Sequence, residues 1–330
     1  MKTIAFFNNK GGVGKTTLVY HLAWIYADLG VSVVAADLDP QANLSAMFLT
    51  EDRLEELWPD GEHPDSILGS VSPILRGLGD FRDPHVEKIT RDLGLLVGDL
   101  GLSRFEAKLS SAWPECMNGD EAAFRTESAF HRAMLKAAET RDAEILLMDV
   151  GPNLGAINRA AIIAANYVVF PLAPDLFSLQ GLRNLGPTLR DWRKEWQDRL
   201  DRRPRDPSLL LPSADILSAG YIVMQHAVRS DRPVKAYQKW LKRIPNVYHR
   251  EVLDDHGGDA SSTEDDAECL AALKHYRSLM PMAQEALKPM FHLKAADGAL
   301  GGHIHAVQEC YDDFKKLAAA IAGKCGVSMP

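Results

Sequence analysis

Cysteine is scarce in this chain: four in 330 residues, at positions 116, 269, 310 and 325, with no C-x-x-C pair among them. That spacing offers no frame for structural zinc or the usual iron–sulfur ligation, and it suits a reduced, cytoplasmic setting. Long apolar runs are missing too. No stretch of about eighteen uncharged apolar residues exists, which excludes a membrane-spanning helix. The first apolar run, Ile4–Phe7, is short and leads straight into a glycine loop, unlike a secretion signal. Nor is there an excess of positive charge. Against 37 Lys and Arg stand 45 Asp and Glu, a net −8 that argues against a protein coating nucleic acid over its whole surface. Internal repeats and low-complexity tracts are absent as well.

What is present is an ordinary globular composition, 46% hydrophobic and 25% charged, long enough for one large α/β domain or two smaller ones. The acidity is concentrated. Residues 250–268 hold eight acids against the single cation Arg250, so the rest of the chain is nearly neutral and has room for local basic patches.

The pattern alternates between two periods. Residues 2–8 and Val31–Ala36 read as short buried strands, apolar on both faces as parallel sheets require. Between them a helix from Thr16 carries Leu18, Leu22, Ile25, Tyr26 and Leu29 on one face and stops at Gly30. Further strands are expected at Gly94–Val97, Glu144–Met148, Tyr167–Pro171 and Ile216–Met224. Helices are expected at Ser128–Glu139, Asn158–Ala165, Leu179–Trp196, Pro233–Arg243, Cys269–Leu287 and Ile304–Ala322. This alternation predicts a doubly wound, mostly parallel sheet flanked by helices, with ligands at the carboxyl ends of the strands. One domain spanning 1–330 is the expectation, with surface insertions at about 50–90, 197–214 and 251–268.

Between the first strand and helix lies Asn9-Lys10-Gly11-Gly12-Val13-Gly14-Lys15-Thr16-Thr17. Glycines there let backbone N–H groups turn inward onto phosphate oxygens at a helix N-terminus. Lys15 is placed to reach the β- and γ-phosphates and Thr16 to offer its hydroxyl to Mg2+. Asn9 stands where the general phosphate-loop pattern has glycine. With an extra lysine, Lys10, five residues before Lys15, K-G-G-V-G-K-T-T resembles the deviant Walker A loop of the ParA/MinD family of P-loop ATPases.

Two further segments are similar to that family. Asp37-Leu38-Asp39-Pro40-Gln41-Ala42-Asn43 resembles its switch I, and Ile145–Pro152 resembles its Walker B strand and switch II. Leu95–Phe105, Val168–Gly181 and Lys288–Phe291 extend the resemblance over most of the chain. Asn153 departs from it, since partition members commonly carry serine there. The resemblance implies an Mg2+-dependent ATPase that hydrolyses ATP to ADP and phosphate, with Asp149 beside the metal and Asp39 placing the attacking water. It implies a homodimer that sandwiches ATP, in which Lys10 crosses to the partner's phosphates. It sets Met224 and Gln225 where the adenine edge is met, although a structural methionine fits Met224 equally well.

The family resembled acts on DNA, on membranes or on protein cargo. For nonspecific DNA the best stretch is Ala227–Arg243, with Arg229, Arg232, Lys235, Lys239, Lys242 and Arg243 against one acid; Arg190–Arg205 adds seven cations and four acids. A solvated helix face explains both stretches as well. Trp192, Trp196 and Trp240 sit among these cations at spacings typical of a core. The last expected helix has an apolar face of mostly small residues, which favours packing on the sheet over a membrane anchor. No helix-turn-helix precedes the phosphate loop, so promoter binding by an appended domain is not expected. His303, His305 and Cys310 form a weak metal candidate, and no bridging cysteines suit electron delivery. The resemblance is strongest to partition (Soj-like) ATPases driven by a ParB-like partner. A ParA-like switch that positions a protein cargo without DNA is the alternative.

Overall fold

The computed structural model describes residues 1–224, 234–256, 262–276, 278–299 and 301–330, with backbone only for 234–237. Eight strands form one sheet: β1 (Lys2–Phe6), β2 (Val33–Asp37), β3 (Glu87–Lys88), β4 (Leu93–Leu96), β5 (Ile145–Asp149), β6 (Tyr167–Leu172), β7 (Leu217–Met224) and β8 (Cys269–Leu273). Their order across the sheet is β3-β4-β2-β5-β1-β6-β7-β8, and only β3 runs antiparallel to its neighbour. The central strands are buried on both faces, which is why they read as unbroken apolar runs and not as alternation. Helices cover both faces. One layer packs Phe105, Phe130, Leu182 and Leu185 against the sheet, the other Leu18, Leu22, Phe314 and Leu317.

Register decides where the acids meet. In β2, β5 and β1 the residues Asp37, Asp149 and Phe6 lie side by side, so both carboxylates emerge at the carboxyl edge next to the phosphate loop.

The expected helix Cys269–Leu287 is wrong in its first half. Cys269–Leu273 is the edge strand β8, paired with β7, and a helix begins only at Leu279 and ends at Ala286. A short apolar run cannot be assigned to strand or helix by periodicity alone, and here tertiary pairing decided. Helices Glu121–Glu127 and Ile244–Glu251 were not anticipated.

The described parts of the three stretches expected as surface insertions make contacts with the rest of the fold. Residues 50–90 contain helices Glu51–Leu57 and Ile67–Arg76 and the strand β3, and they bury Leu54, Leu57, Ile67, Val71 and Ile74. Asp80 anchors their far end by accepting from Arg132 at 2.6 and 2.7 Å. In 197–214, Pro212 accepts from the indole of the fully buried Trp196 at 3.0 Å. In 251–268, Asp266 is buried and accepts from the Tyr221 hydroxyl at 2.7 Å. The last helix, Gly302–Cys325, packs Phe314, Leu317, Ala318 and Ile321 into the core. No helix among the described residues is long and apolar enough to cross a membrane.

Candidate functional site

The loop after β1 runs into helix Lys15–Asp28. Gly12 and Gly14 have φ of 71° and 92°, a left-handed region closed to most side chains, and Gly14 is the helix N-cap. No side chain caps that helix, so its first-turn N–H groups point outward unpaired by any capping group. Two asparagines brace the loop. Asn8 donates to Pro171 O at 2.6 Å and accepts from Lys10 N at 2.9 Å. A Cβ on Gly181 would come within 2.7 Å of Asn9 Oδ1, so the helix Leu176–Leu200 meets the loop at a glycine.

Lys15 is buried, 7% exposed, and donates to Asn8 O at 3.2 Å. Burial lowers its pKa, while Asp149 and Asp39 pull the other way. Asp149 is fully buried and neither of its oxygens has a hydrogen-bond partner; the Thr16 hydroxyl beside it lies near enough to favour the charged form but not in bonding geometry. Burial first, and the neighbouring Asp37 second, push its carboxyl up to about 8. Asp37 is also fully buried and shifted up to about 7 by burial, although Oδ2 accepts from Ser45 N and Ser45 Oγ at 2.8 Å each. Asp39, 8% exposed, accepts from Gln41 N at 3.0 Å.

Of these groups Lys15, Thr16 and Asp39 line one cleft of about 740 Å³ at the carboxyl end of the sheet, within the range of about 300–1,000 Å³ usual for small-molecule sites. Gly11, Gly12, Gly14, Lys15, Thr16 and Thr17 form its floor and Asp39 one wall. Sequence reasoning missed the opposite wall, Met280, Gln284 and Lys288, because that helix was merged with β8. Val13 is buried under the loop. Met224 lines a smaller adjoining hollow of about 130 Å³ with Leu273 and His275, and its Cε lies 3.0 Å from where a Gly14 Cβ would be. Gln225, Arg229 and Arg232 lie outside the described residues, as does the side chain of Lys235.

Lys10 is turned away from the cleft floor, into a salt bridge with Asp175, and its ammonium lies 5.8 Å from the ring centre of Phe177. Asp175 caps helix Leu176–Leu200 by accepting from Ser178 N at 2.9 Å. The segment after Asp149 is held at both ends. Asn158 Nδ2 donates to Gly151 O at 2.8 Å and to Asn153 O at 2.7 Å. Glu106 accepts from Ala156 N at 2.5 Å and Ile157 N at 2.9 Å, filling space that a Cβ on Gly155 would occupy. Glu106 carried no motif signal; its role exists only once the two helices are packed.

Of the basic residues, Lys239 and Lys242 are exposed, while Arg243 and Lys239 lie 5.2 and 5.4 Å from the Trp240 ring centre. The second stretch is spent partly inside: Arg199 is buried, stacks 3.8 Å from the Trp113 ring centre and donates to Trp113 O at 2.9 Å. Trp192 and Trp196 are core residues. His303, His305 and Cys310 do not assemble: Cys310 is buried, and among the described residues no group of three His, Cys, Asp or Glu could hold a metal.

Comparison with known proteins agrees with this arrangement. IncC of Escherichia coli is 28% identical over 59% of this chain and 47% of its own length. The chromosome partitioning protein ParA of Myxococcus xanthus is 28% identical over 57% and 58%. The chain thus spans about half the length of these curated relatives. Among solved structures, DIP2308 of Corynebacterium diphtheriae superposes with a TM-score of 0.73 at 22% identity, covering 98% of this chain and 99% of that one. The ATP complex of a single-substitution variant of Cyanothece McdA follows with 0.65 at 15% identity over 100% and 98%; both likenesses are of fold. The family model described as an AAA domain (AAA_31) matches residues 1–202, more than half of the chain, and with a glycine loop, two strand-end acids and this sheet order the chain belongs to that family, as a P-loop ATPase of the ParA/MinD type.

Proposed function

We propose that this protein is an ATP-driven dimerising switch of DNA partitioning. The observation that carries the reading is Asp149, a carboxylate buried beside Lys15 and Thr16 with both oxygens unpartnered. Such a group is costly unless a cation joins it. The oxygen donors Thr16, Asp149 and Asp39 suit Mg2+, which when bound would neutralise charge on the β- and γ-phosphates. The chain's own groups supply the rest. Backbone N–H groups from Lys10 to Thr17 cradle phosphate oxygens, Lys15 meets the β- and γ-phosphates, and Asp39 orients the attacking water. Met224 and Gln225 border the adenine.

In the ATP-bound homodimer Lys10 leaves Asp175 and reaches the partner's phosphates, adding positive charge where the transition state needs it. Arg229, Arg232, Lys235, Lys239, Lys242 and Arg243 track DNA phosphates without reading sequence, and a ParB-like protein stimulates turnover. Similarity to the chromosome partitioning protein ParA of Myxococcus xanthus supports partitioning. One observation favours a second reading, cargo positioning without DNA: Arg199 is buried, so the second basic stretch offers less charge to a phosphate backbone than its composition implied.

Co-sedimentation with nonspecific duplex DNA, in ATP or ADP over a salt series, separates the two. ATP-dependent retention that weakens with salt and is lost in Lys15→Ala supports partitioning. Absence of retention in every nucleotide state removes DNA and leaves the ATPase.

A further inference from the structure

At the end of the sheet opposite the phosphate loop, Tyr167 and Leu217, the first residues of β6 and β7, help to line a second hollow of about 370 Å³. Gly186, Leu189, Arg190 and Arg193 of helix Leu176–Leu200 form one side, Val252 and Leu253 another, and Lys324 the rim. The volume again lies within the range of about 300–1,000 Å³ that small-molecule sites occupy.

Three observations set it apart from a packing defect. Its lining leaves apolar surface in water: Leu217 and Leu253 are 49% and 37% exposed, while Phe170 behind them is fully buried. Two partly exposed leucines on one concave lining give the apolar body of a small ligand something to cover.

Next, among the described residues every charged side chain that lines it is a cation, on a chain of net charge −8. Arg190 donates to the Glu251 carbonyl and lies 3.9 Å from Asp254. Lys324 pairs with Glu268 at 2.8 Å. Arg193 has no hydrogen-bond or ion-pair partner among the described residues. A fourth cation, Lys2, lies 5.8 Å from the ring centre of Tyr167.

Finally, the register between β6 and β7 shifts at this place. Val168 pairs with Ser218 and Val169 with Gly220, so Ala219 is an extra residue, and Gly220 takes a φ of 134°. Bulges twist strands apart locally and gather at functional edges of sheets.

We infer that this hollow is a second ligand site, taking a water-soluble organic anion whose compact apolar body covers Leu217 and Leu253 while its carboxylate or phosphate meets Arg193. Arg190 and Lys324 add attraction without surrendering their own partners. The site is independent of the nucleotide reading, since it sits at the other end of the same strands.

Isothermal titration of the full chain with octanoate, in saturating ADP so that the phosphate loop is filled, tests it. Octanoate is expected to bind one-to-one, octylammonium and acetate not. Arg193→Glu should weaken octanoate at least about tenfold, the scale of one lost charge-assisted hydrogen bond. Lys194→Glu, the same charge change at an exposed neighbour outside the hollow, should bind as the parent does. Equal binding by Arg193→Glu, equal affinity for octylammonium, or loss of octanoate binding on adding ADP would each overturn the assignment.

Discussion

Lys10 and Asp175 hold each other in a salt bridge, the lysine from the phosphate loop and the carboxylate from the N-cap of helix Leu176–Leu200. Their side chains are 30% and 20% exposed, so water screens the pair and its worth is about 0–1 kcal/mol. If Lys10 must swing to a partner subunit, this contact competes with dimerisation. Asp175→Asn keeps an oxygen to cap Ser178 but removes the charge. The expected result is a larger dimer fraction at a given ATP concentration, by up to about fivefold, read by sedimentation velocity. Lys10→Ala should bind ATP and fail to turn it over.

Asp149→Asn sets stability against function. Above about pH 8, where Asp149 must ionise in place, the neutral amide is cheaper to bury, and the change should raise the melting temperature of the nucleotide-free protein. The same change should cut ATP turnover on the order of a hundredfold or more and abolish the part of ATP affinity that depends on Mg2+. A fall in melting temperature with unchanged turnover would remove Asp149 from the chemistry.

Glu106 supports the segment after Asp149 through two backbone N–H groups. Glu106→Ala should cost about 1 kcal/mol, as lost helix caps do, and free the amides of Ala156 and Ile157 to exchange faster. Hydrogen exchange without nucleotide reads this directly. Protection unchanged at both amides would show that the helix start is held by other contacts.

Glu127 provides a pH test away from the cleft. It is buried, its carboxylate lies 3.6 Å from Arg159, too long for a hydrogen bond, and burial pushes it up to about 8 in spite of Arg159 and Arg199. A carboxyl raised in the folded state binds its proton more tightly there than in the unfolded chain. Its contribution is therefore complete below the ordinary value of 4.5 and is lost as pH climbs towards 8. Glu127→Gln lacks that loss. Its stability relative to the parent should grow between these limits by at most about 1.4 kcal/mol per pH unit, measured by urea unfolding from pH 5 to pH 8.

Much of the nucleotide end of the molecule was legible from residues alone, because local chemistry there is tied to chain order. Gly12 and Gly14 are needed for left-handed turns, Lys15 and Thr16 follow them on the first helical turn, Asp149 ends a strand whose apolar run is unmistakable, and Asp39 lies two residues past the end of another. Periodicity failed where burial was ambiguous: Cys269–Leu273 has the composition of a helix but pairs as an edge strand, which hid the cleft wall behind it.

The residues of this chain thus determined by themselves the βαβ start, the phosphate loop and the central parallel strands, since each depends on neighbours a few positions away. Tertiary structure alone decided that Glu106 supports the segment after Asp149, that Asp175 holds Lys10, that Arg199 is a core residue and that Arg190, Arg193 and Lys324 share a hollow. Those partners are separated by tens to hundreds of positions, and no local propensity encodes a contact that forms only when two distant elements are packed together.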